Sequence, residues 1–159
     1  MLPDTYLTEG IRLQPCRADF GLAAVVYRAS FGARSYFDPE ERTEQIPADI
    51  TGLNAQPSGW VVLELIREPE LVIVTVGDLL AVRRTRTPRN GQIAIVKTDE
   101  QVLIRRVFAN GTHAVLRSLA HAPDILTVPA AVEVRGTIEG LALEGCWYKL
   151  ITSEQLPER

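Results

Sequence analysis

Four arginines fall within seven residues, Arg83, Arg84, Arg86 and Arg89, beside Pro88 and the pair Asn90-Gly91. Clustered guanidinium groups are the usual source of phosphate contact, so this segment is a candidate nucleic-acid-binding hairpin. The plainer reading is a solvated hairpin tip. No helix-turn-helix length precedes it, and no aromatic residues interleave with the arginines as base stacking requires. His113 and His121 are the only histidines, with Asp124 nearby. Two imidazoles without a third ligand at workable spacing do not make a zinc site, so no metal and no cofactor is implied. Ser118 stands three residues before His121. That pair lacks both the orienting acid and the nucleophile elbow of a serine hydrolase. Cys16 and Cys146 have no neighbours in sequence that would lower a thiol pKa, and they read as packing residues.

The elements that would hold these groups change character near residue 59. Before it, Asp19 to Ser30 reads as a short helix with Asp19 as N-cap. Asp38 to Glu44 is a charged stretch broken by Pro39. Pro47, Gly52, Pro57 and Gly59 then punctuate a connector with at most one helical turn. After Ser58 the pattern is strand after strand: Trp60 to Ile66, Leu71 to Val76, Leu79 to Arg83, Gln92 to Thr98 and Val102 to Phe108. His113 to Leu119, Ala131 to Leu143 and Cys146 to Ile151 continue it. Asn110-Gly111 is a strong hairpin turn, and Gly136 and Gly140 mark bulges or bends in the long strand. The chain therefore predicts a mostly β protein: residues 57–159 as a partly open barrel-like core, and residues 1–56 as a mixed, partly helical arm and connector.

The stretch Gly77 to Val107 resembles the central segment of the LexA/UmuD family of self-cleaving serine–lysine peptidases. The resemblance rests on Gly77-Asp78-Leu79-Leu80, Gly91, the alternating Gln92 to Lys97, the two-acid turn Asp99-Glu100, and the apolar strand Val102 to Arg106. It extends loosely from Pro57 to Leu143. By that resemblance the nucleophilic serine falls at Glu68 and the general-base lysine at Arg105. A serine–lysine pair works because a buried lysine can lose its proton and accept the hydroxyl's. Arginine stays protonated and has no acceptor, so Arg105 cannot serve as that base. None of the eleven glycines follows Ala or Cys, the dipeptides at which the family cuts itself. The expectation is a non-catalytic pseudopeptidase, with Glu68 and Arg105 forming an ion pair where the dyad stood.

What the family implies is a homodimer acting by protein contact, in DNA-damage (SOS) response, translesion-polymerase accessory work, or phage and mobile-element regulation. Two other classes stay open: a self-cleaving peptidase whose nucleophile has moved, for instance to Ser58 or Ser118, and a small nucleic-acid binder using the arginine hairpin. A net charge of −3 gives no global pull toward nucleic acid or anionic lipid, so any basic patch is local. The first ten residues carry Asp4 and Glu9 and no basic run, unlike a secretory signal. Two widely spaced thiols suit a reducing cytoplasm better than a disulfide scaffold.

Overall fold

The computed structural model describes residues 5–8, 10–32, 34–69, 71, 74–98, 101–119, 125–129 and 132–152, with the side chains of residues 5–8 excepted. Twelve strands make one branched sheet: β1 (Thr5–Thr8), β2 (Ile11–Pro15), β3 (Gly21–Ser30), β4 (Tyr36–Pro47), β5 (Trp60–Leu65), β6 (Leu79–Arg83), β7 (Ile93–Lys97), β8 (Val102–Ala109), β9 (His113–Arg117), β10 (Ile125–Pro129), β11 (Glu133–Leu143) and β12 (Cys146–Thr152). One helical turn, α1 (Ala48–Thr51), and a short 3-10 turn (Pro57–Gly59) lie between β4 and β5.

β11 is where the sheet branches. Thr137 pairs with Arg83 on one edge and Ala94 on the other, while Gly140 pairs with Ala81 and Lys149. One edge of β11 therefore carries β6, and the other carries β7 first and β12 further along. The register slips at Arg135 and again at Glu139, so the expected bends lie beside Gly136 and Gly140. Both glycines are needed for close approach: a Cβ on Gly140 would collide with the Ile50 side chain, and one on Gly136 would stand 2.7 Å from Val82 Cγ1.

From this branch run β7-β8-β9-β10, β6-β5-β3-β4, and β12-β2-β1. All the pairings are antiparallel except β3 with β5. The continuous apolar runs in β5 and β7 follow from burial on both faces. Val61, Leu63 and Leu65 enter the main core with Ile93, Ile95 and Ile104. Trp60 and Val62 enter a second cluster under Ile50 of α1. Ala94 and Val96 enter a third with Val107, Leu116 and Val134. Each aliphatic side chain so covered contributes about 1.5–3 kcal/mol.

Two expectations for the chain before residue 59 are corrected. Residues 21–30 are a strand, because Val25 to Ala29 lie between β4 and β5 and pair on both sides; β-branched Val25 and Val26 fit that pleat. The charged stretch 38–44 is the body of β4, an edge strand that tolerates Pro39 and many charges because one side of its ladder meets solvent. The described residues of Leu71 to Val76 do not form a strand either. Leu71 makes a single bridge to Leu119, a turn occupies Val76-Gly77, and residues 72 and 73 lie outside the described set. The Asp99-Glu100 turn also lies outside it.

Candidate functional site

The segment after β5 is fixed from below by its backbone. Ile66 N–H donates to Ala29 O at 3.0 Å, Leu65 N–H to Asp78 O at 3.1 Å, and Gly77 N–H to Leu65 O at 2.8 Å. Gly77 has φ +93°, the left-handed region that favours glycine. Asp78 is buried, and its carboxylate accepts from Thr75 N–H at 3.0 Å and Glu144 N–H at 3.4 Å. This frame holds up a loop on which Glu68 is exposed, next to half-buried Pro69. Three arginines, Arg28, Arg34 and Arg67, line a cavity of about 440 Å³ alongside, with Tyr36 and Ile66.

Arg105 lies in the middle of β8, opposite Ala94 of β7, and is only 5% exposed. Its Nη1 donates to Ile104 O at 3.0 Å. The ion pairs among the described residues do not include Glu68 with Arg105, so the expected replacement pair is not formed. One group is solvated on a loop while the other is enclosed by the sheet.

The β8–β9 ladder ends where Arg106 pairs with Arg117, and Ser118 is the first residue beyond β9. Ser118 is 3% exposed. Arg105 cannot take a proton from a hydroxyl, but a fixed guanidinium in a dry site can steady a developing oxyanion. Leu119, the next residue, bridges Leu71 and so ties this strand end to the loop that carries Glu68.

The arginine cluster is split by the fold. Arg83 faces Glu139, Nε to carboxylate 3.8 Å. Arg84 and Arg86 line a cleft of about 730 Å³ together with Glu133 and Arg135. Arg89 is exposed, and its N–H donates to Gln92 Oε1 at 2.8 Å. The Arg135 hydrogen bond holds the Glu133 carboxyl below its ordinary range, outweighing its desolvation. Linear spacing gave no sign of Arg135, which joins Arg84 only because β11 lies against β6. Arg106 likewise carries no signal in linear spacing, yet it is the largest fully buried side chain among the described residues.

The remaining candidates are dispersed. His113 is exposed with Nδ1 3.1 Å from Thr112 Oγ1, while His121 and Asp124 lie outside the described residues. Ser58 is exposed on the 3-10 turn. Cys16 and Cys146 are free thiols. Burial, reinforced by Asp49, pushes the Cys16 thiol up to about 11. No helix among the described residues is long and apolar enough to cross a membrane.

The sequence model of the peptidase S24-like family matches residues 24–139. The chain is 41% identical over 70 residues to a LexA repressor of Erwinia tasmaniensis, covering 42% of this chain and 33% of that one. It is 40% identical over 70 residues to the LexA repressor of Dechloromonas aromatica, with the same coverage. Against LexA repressor 1 of Xanthomonas campestris it is 34% identical over 71 residues, 43% of this chain and 35% of the relative. The chain thus spans about a third of the length of the curated relatives it matches. These matches overturn the expectation that the chain is no enzyme: the family is one of peptidases, and its model spans both Glu68 and Arg105. A fold built of β-strands around one branched sheet and a match over most of its length agree: the chain belongs to the peptidase S24-like family.

Proposed function

We propose that this chain is a LexA-type regulatory module, acting as a homodimer in DNA-damage (SOS) response or in mobile-element gene control. The observation that carries the reading is the family match over residues 24–139, which runs from β3 to β11. In this reading residues 1–56 are the arm and residues 57–159 the core that receives it. Edge strand β10 supports self-association, with Ile125 61% and Leu126 37% exposed on it. Light scattering of the purified chain should give twice the monomer mass, and Ile125→Lys should return it to the monomer. Deleting the coding sequence should alter transcription of damage-inducible genes after mitomycin treatment. An unaltered damage response, with a monomer in solution, would remove the proposal.

The burial of Ser118, next to the Leu119 that bridges Leu71 on the loop carrying Glu68, favours a second reading in which the chain is a serine peptidase whose nucleophile is Ser118. Hydroxide at alkaline pH takes the hydroxyl proton that Arg105 cannot. Intact-mass measurement during alkaline incubation tests it. Two fragments whose masses sum to the chain plus one water are expected, and Ser118→Ala should abolish them while Ser58→Ala does not. A chain that stays whole, or one cut equally in Ser118→Ala, refutes the relocated nucleophile.

A further inference from the structure

Arg84 and Arg135 belong to two cavities at once. On one side is the 730 Å³ cleft they share with Arg86 and Glu133. On the other is an apolar groove of about 230 Å³ lined by Tyr27, Phe37, Val61, Leu63, Ile95 and Val102. The two guanidinium groups form the common rim. Their placement is built into the fold: Arg84 N–H donates to Gly59 O at 2.8 Å, and Arg135 occupies the bulge of β11 between Val134 and Gly136. Glu133 pairs with Arg135. Among the described residues, no carboxylate forms an ion pair with Arg84 or Arg86. Three arginines with a single carboxylate, Glu133, lining their cleft therefore leave an excess of positive charge beside an apolar slot.

Two requirements on a ligand follow. A dry cavity of roughly 150 Å³ already accommodates a benzene ring, so the groove admits one large apolar side chain. The rim asks for carboxylates or phosphates, which arginine grips through paired N–H donors. A continuous phosphate chain is disfavoured, because it would run past Asp38, Glu40, Glu41 and Glu44, the acids of the strand that supplies Phe37, whereas a few carboxylates can be confined to the arginine rim. The groove is also walled mainly by aliphatic side chains, where nucleic-acid readers present flat stacking surfaces.

We propose that this double cavity docks an acidic peptide segment of a partner protein. One apolar side chain enters the groove, and flanking carboxylates engage Arg84 and Arg86. The probe is a fluorescein-labelled pentapeptide, two glutamates on each side of one phenylalanine, titrated with the full chain and followed by anisotropy at low salt. Saturable binding is expected. It should weaken at least tenfold when serine replaces the phenylalanine, when glutamines replace the glutamates, and in Arg84→Gln or Arg86→Gln. Both arginines are exposed, so these variants should melt with the parent, and a melting curve verifies that. Absence of saturation overturns the proposal, as does equal binding by either altered peptide or by the arginine variants. Tighter binding of a short single-stranded oligonucleotide, displacing the peptide, overturns it in favour of nucleic acid.

Discussion

Arg106 reaches back from β8 to the Gly91 carbonyl, its Nε 2.8 Å from that oxygen, and so fastens the turn before β7 to the strand after it. The same guanidinium touches Gly10 O at 3.4 Å and stands 4.9 Å from the centre of the Phe108 ring. A Cβ on Gly10 would come within 2.8 Å of Arg106 Nη2, so the glycine is what lets the chain before β2 approach the buried charge. One side chain thus connects three segments far apart in sequence.

Replacing Arg106 with alanine should cost about 2–4 kcal/mol, through stranded carbonyls and a cavity in the core. In a chain of this length that lowers the melting temperature by roughly 10 °C. Differential scanning calorimetry measures it. A variant that melts with the parent would show that the buried charge fastens nothing.

Gly140→Ala and Gly111→Ala separate two kinds of glycine requirement. At Gly140 the new methyl would collide with Ile50 and stand 3.0 Å from Tyr148 O, an overpacking that costs about 1–3 kcal/mol. At Gly111 the space is open and only the φ of +97° resists, about 1–2 kcal/mol. Urea melts of the two variants should therefore both move, and only Gly140→Ala should be relieved by Ile50→Ala. Equal relief of both would show that packing against α1 is not what Gly140 serves.

The Cys16 thiol, raised from 9.0 to about 11, stays protonated in the fold over a range where the unfolded chain already ionises. A raised folded value means that its stabilising effect is whole below pH 9 and fades between pH 9 and about 11. At pH 8 about one thiol in a thousand is thiolate, so alkylation by iodoacetamide should be slow and should accelerate steeply toward pH 11. Peptide mass mapping reads the modified fraction at Cys16. Rapid labelling at pH 7 of a chain shown to be folded would contradict the assigned shift.

What the sequence disclosed depended on how many neighbours each strand has. Leu79 to Arg83 is legible to the residue, and Gln92 to Thr98 and Val102 to Phe108 to within one, because apolar runs bounded by turn residues mark strands buried on both faces. Asn110-Gly111 is equally plain: Asn110 Oδ1 accepts from His113 N–H at 3.0 Å and closes the turn. β4 was not legible. Its charges and Pro39 are what an edge strand requires, and they carry no period of two. β3 fails for the opposite reason, since its Ala-Ala-Val-Val core suits a helix or a strand and the choice is made by β4 and β5 alongside. The candidate site divides the same way. Glu68 and Arg105 could be numbered from the family resemblance, but which side chain stands across from Arg105 is a property of register between β7 and β8, which no local pattern records.

β2 and β12 add a constraint of another sort. Ile11 lies against Thr152 and Pro15 against Tyr148, so two of the buried residues of the main core, Ile11 and Leu13, already laddered to β1 on one side, gain their second ladder partner only from the far end of the described chain. During synthesis, at about 5–20 residues per second, Ile11 leaves the ribosome many seconds before that partner exists. The edge that β12 covers must wait exposed until β12 is made. Completion of the sheet is therefore a late event, and this wait, more than the equilibrium stability of the finished fold, is when the protein is most open to aggregation and to capture by chaperones.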